Sequence, residues 1–150
     1  MIISFVGHGS MNISDELSNK IRNTILLILT CNSAITFYCG GYGAFDLHCA
    51  SICRSLKELF SDSSIVFVTP YITSSQQRRM KRLIDEKLYD SIIFPPIENT
   101  PPRFAIIKRN EWIISQADLI IAYVGHAHGG AYKSLEYARK KNKLIINLAE

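Results

Sequence analysis

Six short runs of apolar residues, near 2–6, 34–39, 64–69, 91–94, 118–124 and 144–148, punctuate the chain at regular intervals. The runs are nearly all apolar, where strands with one wet face would alternate, so they predict a parallel sheet covered on both faces. Between them the apolar residues change to helical spacing. Leu17, Ile21, Ile25 and Ile28 share one helical face, as do Phe45, Cys49, Ile52, Cys53, Leu56 and Phe60. Ser14 followed by Asp15-Glu16 marks a helix start, and Ser74 or Ser75 marks another. No low-complexity linker interrupts this strand and helix alternation, which predicts one α/β domain over residues 1–150 with helices on both sides of the sheet.

Three of the predicted strands run into glycine-rich loops. The first ends in Gly7-His8-Gly9-Ser10, the second in Gly40-Gly41-Tyr42-Gly43, and the fifth in Gly125-His126-Ala127-His128-Gly129-Gly130. Glycines there let backbone N–H groups approach an anion closely, and the helix that follows adds partial positive charge at the same place. The segment 94–102 holds Pro95, Pro96, Pro101 and Pro102. Prolines lack a donor and restrict the residue before them, so this segment predicts a semi-rigid loop at the carboxyl edge of the sheet, where open α/β folds bind ligands.

Composition narrows the partners. With 150 residues, 47% of them apolar, the chain is long enough for one well-packed core. The net charge of +4 gathers in two sets, Arg78-Arg79 with Lys81-Arg82 and Arg139-Lys140-Lys141 with Lys143. These are solvated helix exteriors or contacts for a small anion; a nucleic-acid partner calls for one continuous basic face. No stretch reaches the roughly 18 apolar residues of a membrane span, and the opening Met-Ile-Ile-Ser-Phe-Val reads as a first strand and not a signal peptide. Cys31, Cys39, Cys49 and Cys53 have neither disulfide-framework nor zinc-ribbon spacing, which predicts a reduced, cytoplasmic setting without a metal.

The sharpest constellation is Gly40-Gly41-Tyr42-Gly43 with Asp46 in the first helical turn after it. Asp46 is either a ribose acceptor and loop organiser or a helix-dipole partner. The dinucleotide fingerprint lacks its third glycine, and no Gly-Lys-Ser/Thr follows, so dehydrogenase and P-loop readings fall away. His8, His126 and His128 lie on loops at one sheet edge, where they could hold a phosphate or pass a proton; no carboxylate or thiolate completes a metal set. His48 stands off the apolar face that Cys49 and Cys53 occupy, so those thiols predict core packing. Tyr42, Tyr132 and Tyr71 are candidate stacking surfaces for a base, Trp112 a core anchor, and Arg103, Arg78 or Arg79 phosphate contacts.

Cys39 through Asp46, the segment Ala117-Asp118-Leu119-Ile120-Ile121-Ala122, and Gly129 through Ala138 together resemble the SLOG superfamily, Rossmann-like domains related to the LOG phosphoribohydrolases. The resemblance spans nearly the whole chain. It implies a pocket for a nucleotide or an ADP-ribose-type ligand, bound by the three glycine loops, and a homodimer or higher homo-oligomer. LOG enzymes cleave the N-glycosidic bond of a nucleoside monophosphate with an arginine and a glutamate, and the matching positions are Arg109 and Glu136. Arg109 would grip phosphate or ribose oxygens and Glu136 would act on water; alternatively Glu136 is a surface carboxylate facing Arg139 or Lys140. The LOG signature Pro-Gly-Gly-x-Gly-Thr-x-x-Glu is broken, because His126-Ala127-His128 precedes the glycine pair and no Gly-Thr follows. Three readings result: a module that senses or sequesters a nucleotide-type molecule, a nucleotide N-glycosidase, or an oligomeric scaffold with a vestigial pocket. The scaffold rests on the continuous apolar run Ile25-Leu26-Leu27-Ile28-Leu29, which predicts burial against another subunit.

Overall fold

Strands β1 (Ile2–Gly7), β2 (Thr36–Cys39), β3 (Ser64–Val68), β4 (Ser91–Ile93), β5 (Leu119–Tyr123) and β6 (Leu144–Asn147) form one sheet in the order β4-β3-β2-β1-β5-β6. Every neighbouring pair is parallel. The computed structural model describes residues 1–70 and 73–150, so the Tyr71 expectation lies outside the described residues. The helices are α1 (Asp15–Cys31), α2 (Ala44–Leu56), α3 (Ser74–Asp85), α4 (Ala105–Gln116) and α5 (Gly129–Lys140). None is long and apolar enough to cross a membrane.

The near-continuous apolar strands follow from this layering. On β1, Ile3 and Phe5 belong to the core that α1, α2 and α3 cover, whereas Val6 belongs to the core under α4 and α5. Each fully buried Ile or Phe contributes roughly 1.5–3 kcal/mol, and Ile3, Phe37, Ile65, Ile120 and Ile121 are all sealed from solvent. The strand order reverses at β1: the chain steps outward through β2, β3 and β4, then returns to place β5 on the other side. The loops after β1 and β5 therefore diverge to opposite faces and leave a crevice between them.

Helix starts agree with the expected chemistry, with one shift. Ser14 caps α1, its Oγ accepting from the Leu17 N–H at 3.1 Å. The cap of α3 is Thr73, one residue before the expected serines. Its Oγ1 accepts from the Gln76 N–H while Gln76 Oε1 accepts from the Thr73 N–H, a reciprocal capping box. The buried stripe of α1 is Leu17, Ile21, Ile25 and Leu29, with Ile28 only packed at its margin. Within the run 25–29 Leu27 alone stays outside the core, at 65% exposure, so the run needs no second subunit to bury it.

The proline segment follows β4 and ends in a short 3-10 turn, Pro102–Phe104, that leads into α4. Cys39, Cys49 and Cys53 are free and buried, as packing residues. His48 is satisfied by a 2.8 Å hydrogen bond between its Nε2 and Ser18 Oγ. Trp112 is partly buried and stacks on Tyr38, ring centroids 5.9 Å apart.

Candidate functional site

A cavity of about 260 Å³ opens at the carboxyl ends of β1 and β2, bounded by the glycine loop before α2, by α4 and by the first turns of α5. Five glycines line it: Gly7 at the end of β1, Gly9 in the loop after it, Gly40 and Gly43 after β2, and Gly130 on α5.

The second loop owes its shape to Gly41 and Gly43, at φ +71° and +88°, a region that side chains with a Cβ avoid. Asp46, in the first turn of α2, clamps this loop. One carboxylate oxygen accepts from the Gly40 N–H at 3.0 Å and the other from the Gly41 N–H at 3.1 Å. Both oxygens are thus engaged by the loop itself, as a loop organiser's would be. Burial pushes the Asp46 pKa up to about 6, against the opposing pull of those two N–H groups and of Arg109.

Arg109 comes from α4 and is buried, at 3% exposure, which a guanidinium tolerates only when its donors are engaged. It donates to the Gly40 carbonyl at 3.0 Å and to Asn110 Oδ1 at 3.0 Å, and it lies 5.4 Å from the centre of the Tyr42 ring. A Cβ on Gly40 would sit 3.3 Å from the guanidinium carbon, so the absent side chain admits the arginine. Tyr42 also meets Arg79 of α3, at 5.2 Å over the ring and with an N–H to Oη contact of 3.3 Å.

Two cavity glycines have no reason of their own to be glycine. A Cβ built on Gly9 or on Gly130 meets nothing within 4 Å, and neither residue has a positive φ. By contrast, a Cβ on Gly7 would strike the Phe45 ring at 2.3 Å. Both glycines line the cavity and are exposed, so a Cβ on either would enter open space.

Among the residues expected from the sequence, Gly7, Gly9, Gly40, Tyr42, Gly43, Asp46, Arg109 and Gly130 line this cavity. Gly41 stands just behind it in the clamped loop. Ser10, Arg103, Gly129, His8, His126 and His128 do not line it. Arg103 lies over the Phe104 ring at 4.8 Å. Tyr132 and Glu136 line a separate hollow on the outside of α4 and α5, together with Glu111 and Lys140. Glu136 is ion-paired with Arg139, the surface role weighed for it above. Arg109 and Glu136 are therefore not brought together, and Asp46 is the one carboxylate that lines the cavity among the described residues. Tyr38, Asn110, Ser134 and Ile106 also line it without having been expected.

No protein-family profile matches the chain, and no curated protein matches it in sequence. Solved structures do resemble it. TM1055, a structural-genomics target, matches over 96% of this chain and 71% of its own, with a TM-score of 0.58 and 10% identity. The Moco carrier protein from Chlamydomonas reinhardtii matches over 99% of this chain and 75% of its own, with a TM-score of 0.56 and 14% identity. At these identities the likeness is one of fold. With its six parallel strands in the order 4-3-2-1-5-6, the chain has a Rossmann-like α/β fold.

Proposed function

We propose that the cavity binds a nucleotide or ADP-ribose-type small molecule and that the protein senses or sequesters it without turning it over. The observation that carries this reading is the pair Gly9 and Gly130, cavity-lining glycines at which a side chain would meet nothing and no positive φ demands glycine. Bare backbone beside the first turn of a helix favours an anionic group. Arg109 brings a buried positive charge to the same cavity, and Tyr42 brings a half-exposed aromatic face. That a carrier protein shares the fold supports a binding role.

Turnover of an N-glycosidic bond needs a carboxyl group placed to move a proton at the reacting centre. Asp46 has both oxygens occupied by backbone donors, and Glu136 lines a different hollow. Both observations favour binding over hydrolysis. A thermal-shift panel of AMP, ADP-ribose, NAD and cyclic nucleotides, with each mixture then chromatographed for free base, tests the reading. Ligand at about a hundred times its dissociation constant should add roughly 2.7 kcal/mol of stability and be recovered intact. Released base would move the assignment to the glycosidase, and no shift across the panel would contradict a nucleotide-type ligand.

A further inference from the structure

Three imidazoles from two loops meet beside the cavity. His8, between the cavity residues Gly7 and Gly9, stacks on His126 with ring centroids 4.1 Å apart and planes within 17°. His126 stacks in turn on His128, at 3.9 Å and 30°. His128 is the cap residue of α5, two positions before the cavity residue Gly130. The Gly125 N–H donates to His8 Nε2 at 3.3 Å, so neutral His8 carries its proton on Nδ1. The histidines thus join the β1–α1 loop, which bears Gly9, to the β5–α5 loop, which leads to Gly130.

Face-to-face packing suits neutral rings and opposes cations held about 4 Å apart. Protonation of His8 at Nε2 also converts the acceptor for Gly125 into a donor aimed at another donor. We propose that His8, His126 and His128 form a proton-sensitive clasp, closed at neutral pH and opened by protonation, that holds Gly9 and Gly130 in the ligand-binding arrangement. The proposal rests on the reading of the cavity as a ligand site and adds its regulation by protons. The ionisable groups facing His8 are His126 and His128 of the β5–α5 loop and Tyr123 of β5, whose ring meets it edge-on at 6.3 Å. Tyr123 in turn lines a hollow with Glu16 and Lys20 of α1 and Glu150. Burial, then the neighbouring His126 and His128, hold His8 below its ordinary pKa, so the fold favours the neutral His8 ring that accepts from Gly125. The rings lie stacked and do not converge on a point, and no group of three ligating side chains among the described residues could hold a metal ion.

An NMR titration of the ligand-free protein from about pH 8 to about pH 5, following the histidine rings and the Gly125 amide, tests the clasp without a ligand. His8 should titrate below the ordinary histidine value, and the Gly125 amide should shift and exchange faster in step with it. In a His126→Ala/His128→Ala double variant the His8 titration should move up. A His8 that titrates at the ordinary value, or a Gly125 amide indifferent to it, overturns the clasp. The second measurement is binding of ADP-ribose, whose diphosphate bridge keeps a fixed charge over this range, at about pH 7.5 and about pH 5.5. The affinity should weaken about tenfold or more on acidification and change far less in His8→Gln, whose amide oxygen can still accept from Gly125. Equal affinity at both pH values in the wild type overturns control of the site by the clasp. ADP-ribose that binds at neither pH counts against the cavity reading, and the ligand-free titration then decides the clasp alone.

Discussion

Ala105, Arg109 and Ile113 recur every four residues along one stripe of α4, so an arginine stands where the helix otherwise turns apolar side chains toward the sheet. That placement is visible in the sequence as a charge within a hydrophobic stripe. Its partners are not visible: Asn110 and the Gly40 carbonyl are supplied by helix rotation and by a loop 69 residues away. Arg109→Lys replaces a planar fork of donors with a point charge. It should destabilise the protein by about 1–3 kcal/mol and weaken nucleotide-type binding about tenfold, read by urea denaturation and calorimetry. Unchanged stability and affinity would contradict the anchoring role. Asp46 makes a prediction of opposite sign to an ordinary paired carboxylate. Its folded pKa of about 6 lies above the value near 3.9 of a free aspartate. Between about pH 4 and about pH 6 the folded state therefore keeps a proton that the unfolded state has lost, and stability falls as pH rises through that window. The full effect is about 3 kcal/mol. Asp46→Asn should abolish it, so the wild type should lose stability relative to the variant as the pH rises from about 4.5 to about 7. Parallel profiles would contradict this account; His8, which contributes in the other direction, is common to both proteins and cancels.

The central strands were legible because both of their faces are buried, which leaves an apolar run with no alternation. The edge strand β6 reads as the same kind of run, yet Leu144 and Ile146 are 70% and 38% exposed; composition does not reveal which strand lacks a neighbour. The phase of α1 was misplaced by one residue at Ile28, because in five consecutive apolar residues the stripe has no polar flank to mark it, and only continuation of the four-residue step from Leu17 selects Leu29. The start of α3 was displaced for a similar reason, since Thr73, Ser74 and Ser75 are all residues that cap helices. A glutamine three residues on does not decide between them in the sequence, since Ser74 has Gln77 where Thr73 has Gln76; the structure forms the box at Thr73 with Gln76. Thr73→Ala should cost about 1 kcal/mol and Thr73→Ser much less, measured by chemical denaturation. Equal losses would place the stabilising contact elsewhere than in the hydroxyl.

At the scale of the molecule, parallel strands explain why glycine loops far apart in sequence gather at one place: every strand points its carboxyl end to the same edge. That much followed from the pattern of runs. The roof of the cavity did not, because it depends on how α4 and α5 are rotated. Gly130, Ala131 and Ser134 share the cavity-facing side of α5, and Glu136, more than half a turn past Ser134, looks elsewhere. Closeness in sequence to a cavity glycine was thus misleading for Glu136, as it was for the three histidines, which turn toward one another. Gly130→Ala separates the needs of the fold from those of a ligand. Alanine in place of glycine within a helix should stabilise the protein by about 0.5–1 kcal/mol, since the added Cβ meets nothing. Calorimetric titration of ADP-ribose into the wild type and this variant, beside their melting temperatures, is therefore the most direct measurement. A variant that melts at the same or a higher temperature and has lost binding is the predicted result; a variant that binds as tightly as the wild type would contradict an occupant seated against Gly130.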